Sequence, residues 1–345
     1  MNAFARLSTE ERRDYFEQTA ATLGLPAASI EKDFWVCWLL RLLFELPAWR
    51  GHLTFKGGTS LSKGYGLIKR FSEDLDVVID RDVLGFGGDQ SPERAPSKKQ
   101  MRKRLDALKA ACVEAIHDSL LPDLTAAVRA ALGPEAPAPT LDPNDSQTIF
   151  FAYPSALTPG LLYLNPQVKV ELGARSDTEP TDTPRITPYV AEAFPEAFAT
   201  PSFTVRAVAP QRTLLEKVCL LHEETFRPLT DKPRAARMAR HYYDLWSLVT
   251  AGVGQRATAD PALLDRIVGH RQVFFSYSWV DYGTMVRGQI RLLPPTDHLD
   301  DWRRDYAAMQ QEMFWGDVPT FEEILDVVAR FEAELNRPPA APGVE

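Results

Sequence analysis

FKGGTSLSKGYGLIKRFSEDLDVVID, residues 55–80, decides how this chain is read. Two adjacent glycines, Gly57 and Gly58, lead into two hydroxyl residues, Thr59 and Ser60, and then into a pair of carboxylates, Asp74 and Asp76. The stretch DLDVVI (74–79) alternates and is rich in β-branched residues, which predicts a strand. Residues two apart on a strand point to the same face, so the two carboxylates stand about 6–7 Å apart. Like charges on one strand face repel. A divalent cation is the natural compensation: such a pair can hold one or two magnesium ions, with phosphate oxygens completing the shell. Upstream, a short strand over 52–55 runs into the glycines, and a helix is expected from Thr59 to Ile68. A glycine turn at a helix start exposes backbone N–H groups, an anion site suited to a triphosphate, to which Thr59 and Ser60 can add hydroxyl donors. Each half has a plainer reading. The turn can be a tight connection with no ligand, and the carboxylates can be a solvated face salt-bridged to Lys69 and Arg70. Their succession puts phosphate cradle and metal ligands side by side. The stretch is not a P-loop, because Ser62 replaces the glycine before Lys63 and Gly64 stands where Ser or Thr is needed.

The rest of the chain is globular in composition. Its 345 residues suit one large or two modest domains, and 45% apolar with 25% charged residues is ordinary. The opening MNAFARLSTEERRDYFEQ has no apolar signal core, and the longest apolar run, Phe34–Leu40, is too short to span a bilayer. Cys37, Cys112 and Cys219 lie far apart without zinc spacing, and an odd count argues against a disulfide framework. A cytoplasmic location is expected. A net charge of −8 argues against indiscriminate coating of nucleic acid. Two local basic runs remain candidates for RNA phosphates: Lys98, Lys99, Arg102, Lys103 and Arg104, and Arg227, Lys232, Arg234, Arg237 and Arg240. Tyr242, Tyr243 and Trp246 follow the second closely enough to stack on bases, or they are the core face of an amphipathic helix.

Periodicity gives helices at 8–23, capped by Ser8 with Glu11 in a capping box, and at 28–44, apolar on most of its surface and so buried. Residues 98–132 form a basic-headed helix that Pro122 kinks or divides, and 133–147 are a Pro-rich linker. Strands are expected at 148–153, 167–172 and 203–207, with the Pro-rich 176–201 irregular. Helices follow at 211–225, 234–251, 261–275 and 320–335. Few, irregularly spaced strands make this an α+β protein with a mixed sheet flanked by helices, not a doubly wound one. The expected organisation is a core over 1–208, with N-terminal helices and a helical insertion near 98–132, and a helical C-terminal domain over 209–345.

Gly57-Gly58-Thr59-Ser60 followed by Asp74-Leu75-Asp76 resembles the signature of the DNA polymerase β-type nucleotidyltransferases. With EKDFWV (31–36) upstream, the longer string resembles more narrowly the AbiEii/AbiGii toxins of abortive-infection toxin–antitoxin pairs, over most of residues 28–250. The resemblance implies a third carboxylate on a neighbouring strand, which Glu171 of QVKVEL supplies. Lys169 shares its strand face and is placed to hold a phosphate. An ordinary cross-strand ion pair is the alternative. The resemblance also implies Glu216 and Lys217 on one following helix and Asp244 on the next, unless Asp244 simply pairs with Arg240. Arg70, just before the carboxylate pair, can contact the triphosphate. Ser72, on the face of Asp74, is implied as a site of modification, or it merely begins the strand. The implied activity is transfer of NMP from an NTP substrate, with Mg2+ on Asp74, Asp76 and Glu171, to the 3′ end of tRNA, opposed by a cognate antitoxin. The alternatives are a transferase of the same fold acting on a protein or small molecule, and a non-catalytic binding module. The paired carboxylates disfavour the module.

Overall fold

The computed structural model describes residues 1–157, 165–228, 234–310, 313–314 and 316–337. Lys232 of the second basic run lies outside the described residues. The chain divides into two units, one of Met1–Tyr65 with Ser72–Val208, the other of Gly66–Phe71 with Ala209–Glu345.

The first unit opens with α1 (Asn2–Ala5) and α2 (Thr9–Leu23). Ser8 Oγ accepts from Glu11 N while Glu11 accepts from Ser8 N, the capping box expected from the sequence, and Gly24 ends the helix in the left-handed conformation. In α3 (Ala27–Glu45) every residue from Ile30 to Leu40 is buried, the fate of a helix with no polar side. Three of those residues are consecutive charges, Glu31, Lys32 and Asp33. The chain continues through β1 (Leu53–Lys56), a single turn of helix α4 (Gly57–Thr59), a π-helical turn (Ser60–Gly64) and β2 (Leu75–Ile79). The helix expected to Ile68 stops early, because Gly66 takes φ +62.

Next come α5 (Lys98–Ala115) and α6 (Leu121–Leu132), divided by a π-helical turn at Ile116–Leu120, with Pro122 in the first turn of α6 where it costs no hydrogen bond. The expected linker is partly a hairpin of β3 (Thr140–Asp142) and β4 (Asp145–Ala152), because Asp142 Oδ1 accepts from Asn144 N and closes the turn. Then follow β5 (Gln167–Gly173), β6 (Thr181–Asp182), β7 (Arg185–Ile186), α7 (Tyr189–Ala193), β8 (Phe203–Thr204) and β9 (Ala207–Val208). Seven strands form one sheet in the order β3-β4-β5-β2-β1-β9-β6, while β7 and β8 pair separately. The β2–β5 and β1–β9 pairs are parallel and the other pairs in the sheet antiparallel. The fold is α+β, as the strand spacing indicated.

The second unit is helical: α8 (Pro210–Thr225), α9 (Arg240–Thr250), α10 (Val253–Thr258), α11 (Pro261–Phe274), α12 (Leu299–Gln310) and α13 (Phe321–Leu335). The sequence reading anticipated four of these; it missed α10 and α12 and began α9 six residues early. All three cysteines are buried free thiols. No helix among the described residues is long and apolar enough to cross a membrane.

Candidate active site

Strand register builds the first half of the site. Lys56 of β1 pairs with Asp76 of β2, and Asp76 pairs with Glu171 of β5. Partners in register share a sheet face, so Lys56, Asp76 and Glu171 form a row across three strands, with Lys169 one pleat along from Glu171. Asp74 stands immediately before β2. Gly57, at φ +80, lays its backbone against Asp76: a Cβ there would come within 1.9 Å of Asp76 Oδ2. Glycine is the residue that fits both the dihedral and the approach.

The two turn hydroxyls face inward. Thr59 Oγ1 donates to the Asp74 carbonyl at 2.6 Å and lies 2.9 Å from Ser72 Oγ, while Ser60 Oγ donates to the Gly57 carbonyl at 2.9 Å. Thr59 fastens the turn to the strand entry and Ser60 closes the turn on itself, so both hydroxyl hydrogens read as possible phosphate donors are engaged within the protein. Ser72, expected on the face of Asp74 or as the start of the strand, is tied to the glycine turn through Thr59.

Charge is crowded in this row. Burial lifts the Asp76 carboxyl to about 7; Lys56 pulls the other way, while Glu171 and Asp74 push it further up. Asp74 is also raised, first by burial and then by Glu73 and Glu171, against the pull of Lys169 and Lys32. Lys169 ion-pairs with Glu171. Burial works against the Lys169 charge, but Glu171, Asp74 and Asp76 outweigh it and hold its pKa above the usual lysine value. Three carboxylates competing for too little positive charge make an oxygen-only donor set of the kind hard divalent cations prefer. By that chemistry, Asp74, Asp76 and Glu171 fit such an ion. Among the described residues no three His, Cys, Asp or Glu side chains already converge in a ready-made metal cage.

The other residues implied by the resemblance belong to the second unit. Asp244, fully buried on α9, accepts from Arg70 through both oxygens at 2.6 and 2.8 Å and from Lys217 Nζ at 2.7 Å. Burial would raise its pKa, but the two cations hold it far below the ordinary carboxylate range. Asp244 therefore answers Arg70 and Lys217. Glu216 pairs with Arg212 one helical turn back at 3.0 Å. Tyr242 and Tyr243 are buried, Tyr242 donating to the Leu292 carbonyl at 2.7 Å and standing edge-on to Trp302 and Phe321. They are core residues and cannot stack on bases, because the apolar face of α9 packs inward; Trp246 is half-buried beside Tyr243. Arg234 pairs with Glu224 and lies 4.0 Å over the Trp302 ring. In the first basic run Lys98, Lys99, Arg102 and Lys103 are exposed, while Arg104 donates to the Asp89 and Ser91 carbonyls.

Sequence reasoning gave no role to Lys56, Glu73, Lys63 or the charges of α3. The available signal was three consecutive charges inside an otherwise apolar helix, a pattern that makes sense only if each has a buried partner.

The chain is a nucleotidyltransferase. The family model described as nucleotidyl transferase AbiEii toxin, type IV toxin–antitoxin system, matches residues 39–327, and the chain belongs to this family. The chain is also similar to two solved structures. JHP933 from Helicobacter pylori is 14% identical, with TM-score 0.40, covering 87% of this chain and 89% of that one. MenT4, a nucleotidyltransferase toxin from Mycobacterium tuberculosis, is 16% identical, with TM-score 0.40, covering 92% of this chain and 98% of that one. No curated protein matches significantly in sequence.

Proposed function

We propose that this toxin transfers an NMP group from a nucleoside triphosphate to the 3′ end of tRNA in a magnesium-dependent reaction, in the cytoplasm, and that a cognate antitoxin opposes it. The observation that carries the metal-dependent chemistry is the crowding of Asp76, Asp74 and Glu171, with Asp76 pushed to about 7. The RNA acceptor follows from the likeness to toxins of this family, with the exposed run Lys98–Lys103 as a phosphate contact.

In this reading residues 1–208 are the catalytic domain and 209–345 a helical domain. Asp74, Asp76 and Glu171 hold the cation, which when bound supplies charge neutralisation to carboxylates and phosphates alike. Backbone N–H groups of Gly57, Gly58 and Thr59 receive the β and γ phosphates, while the Ser60 N–H closes the turn on the Gly57 carbonyl. Lys169 turns from Glu171 to the phosphates and offsets charge that builds up in the transition state. The acceptor hydroxyl attacks the α-phosphorus in line, its new O–P bond replacing the bond to pyrophosphate, which leaves. Within the second unit Asp244 holds Arg70 and Lys217 in one buried ion cluster, with Glu216 on the same helix as Lys217, and in the first unit Ser72 is the residue whose modification would silence the turn.

Purified protein incubated with total tRNA, Mg2+ and each α-labelled NTP in turn, with Asp76→Ala as control, tests this. Label on tRNA from one NTP, absent with the variant, is the expected result. Label reaching only protein or small molecules would replace the RNA acceptor, and an active Asp76→Ala enzyme would sink the metal-carboxylate mechanism.

A further inference from the structure

The three consecutive charges of α3 each bind a different segment of the first unit. Successive residues on a helix point 100° apart, so one turn can reach in three directions. Glu31 accepts from Ala156 N at 2.6 Å and from Ser155 Oγ at 2.7 Å. Lys32 Nζ donates to the Asn165 carbonyl at 3.0 Å and to the Gln167 carbonyl, and pairs with Glu73 at 2.9 Å. Asp33 pairs with Lys63 at 2.8 Å and accepts from Tyr189 N at 2.7 Å, while Lys63 Nζ lies 3.5 Å over the Tyr189 ring.

Two of these tethers end beside the site. Glu73 is the neighbour of Asp74, and Gln167 lies one pleat before Lys169 on β5, so a single ammonium joins the entry of β2 to the start of β5. Lys63 is three residues beyond Ser60, on the π-helical turn that continues from Gly57–Thr59, so Asp33 anchors the glycine turn from behind. Glu31, by contrast, holds Ser155 and Ala156, which carry none of the site residues. Apolar side chains of the same volume would stabilise such a core as well as buried ion pairs do; what the ion pairs add is fixed distance and direction.

We infer that Lys32 and Asp33 are positioning residues for nucleotidyl transfer, Lys32 setting the carboxylates against β5 and Asp33 setting the phosphate-binding turn. This rests on the triphosphate and metal reading above. It assigns the two tethers different kinetic signatures: loss of the Asp33–Lys63 pair loosens the turn and weakens nucleotide binding, whereas loss of the Lys32–Glu73 pair moves Asp74 and weakens metal-dependent turnover.

The test uses full-length Asp33→Asn, Lys63→Met, Lys63→Arg, Glu73→Gln and Glu31→Gln, with thermal melting as a check on folding. Steady-state kinetics are run against NTP and against Mg2+. Calorimetry with non-hydrolysable analogues of the four NTPs and Mg2+ measures binding independently of the acceptor. Asp33→Asn and Lys63→Met are expected to raise the NTP KM about tenfold with little change in kcat, since loosened positioning costs up to about 10²-fold. Lys63→Arg, which keeps the ion pair, is expected to restore wild-type KM. Glu73→Gln is expected to raise the half-saturating Mg2+ concentration and lower kcat at unchanged NTP KM. Glu31→Gln is expected to melt lower with unaltered KM. If the Asp33, Lys63 and Glu73 variants behave like Glu31→Gln, the inference is overturned while the nucleotide reading stands. Wild-type protein that binds none of the four analogues overturns both.

Discussion

Gly57→Ala tests the site at its tightest point. The added Cβ would stand 1.9 Å from Asp76 Oδ2, whereas ordinary contact begins at 3.4 Å, so the carboxylate must retreat by about 1.5 Å. A displacement of that size in a positioned reacting group costs on the order of 10²-fold in rate, or about 2.7 kcal/mol. Alanine at φ +80 also costs about 1–2 kcal/mol of backbone strain. In a unit of this size that lowers Tm by about 2–8 °C. Gly51 separates the two effects: it has φ +83, and its Cβ would meet nothing within 4 Å. Nucleotide incorporation and thermal melting should therefore be measured on Gly57→Ala and Gly51→Ala together. Both are expected to melt a few degrees low, and Gly57→Ala alone to lose about two orders of magnitude in kcat/KM. Equal activities in the two variants would refute the claim that the glycine turn is shaped around Asp76.

Asp76→Asn should be inactive yet more stable than wild type in EDTA at pH 8. A carboxyl raised from 3.8 to about 7 keeps its proton only when folded, so its contribution is lost as pH climbs through that window, leaving a cost on the order of 4 kcal/mol; chemical denaturation at pH 5 and pH 8, with and without Mg2+, reads it. Asp244 has the opposite sign: its depressed pKa contributes stability above pH ~4 that is lost as pH falls below it. Asp244→Asn should thus lower stability at pH 7 by about 3–5 kcal/mol, because Arg70 and Lys217 lose their buried counter-ion, and should flatten the acid limb of a pH–stability curve. Tyr242→Phe should cost about 1 kcal/mol in urea unfolding, for the lost hydrogen bond to Leu292, and leave tRNA binding in a filter assay unaltered; weakened binding would return Tyr242 to the RNA surface.

Local pattern carried much of this architecture. The apolar wrap of Phe34–Leu40 demanded burial, DLDVVI demanded a strand, and the capping residues of α2 marked its start. Period two put Asp74 with Asp76 and Lys169 with Glu171, whereas Glu171 as a third carboxylate was implied by the resemblance and its place opposite Asp76 is set by strand register. What stayed hidden depends on contacts far apart in sequence. Nothing near Asp33 announces Lys63 or Tyr189, and nothing near Asp244 announces Arg70, 174 residues away. Tyr242 and Tyr243 followed a basic run and invited an RNA role, but α9 is amphipathic and its aromatic face is the buried one. The hydroxyls of Thr59 and Ser60 read as phosphate donors, but the Asp74 and Gly57 carbonyls are acceptors already within reach.

The short segment Gly66–Phe71 belongs to the second unit although both its flanks belong to the first. During translation this makes Arg70 wait. Its carboxylate partner is made 174 residues later, which at about 5–20 residues per second is roughly 10–35 s of synthesis. Until Asp244 leaves the ribosome, the six-residue excursion has no buried counter-ion to hold it. For a toxin of this family, the segment that follows the glycine turn thus gains its buried ion pair only after α9 of the second unit has been made.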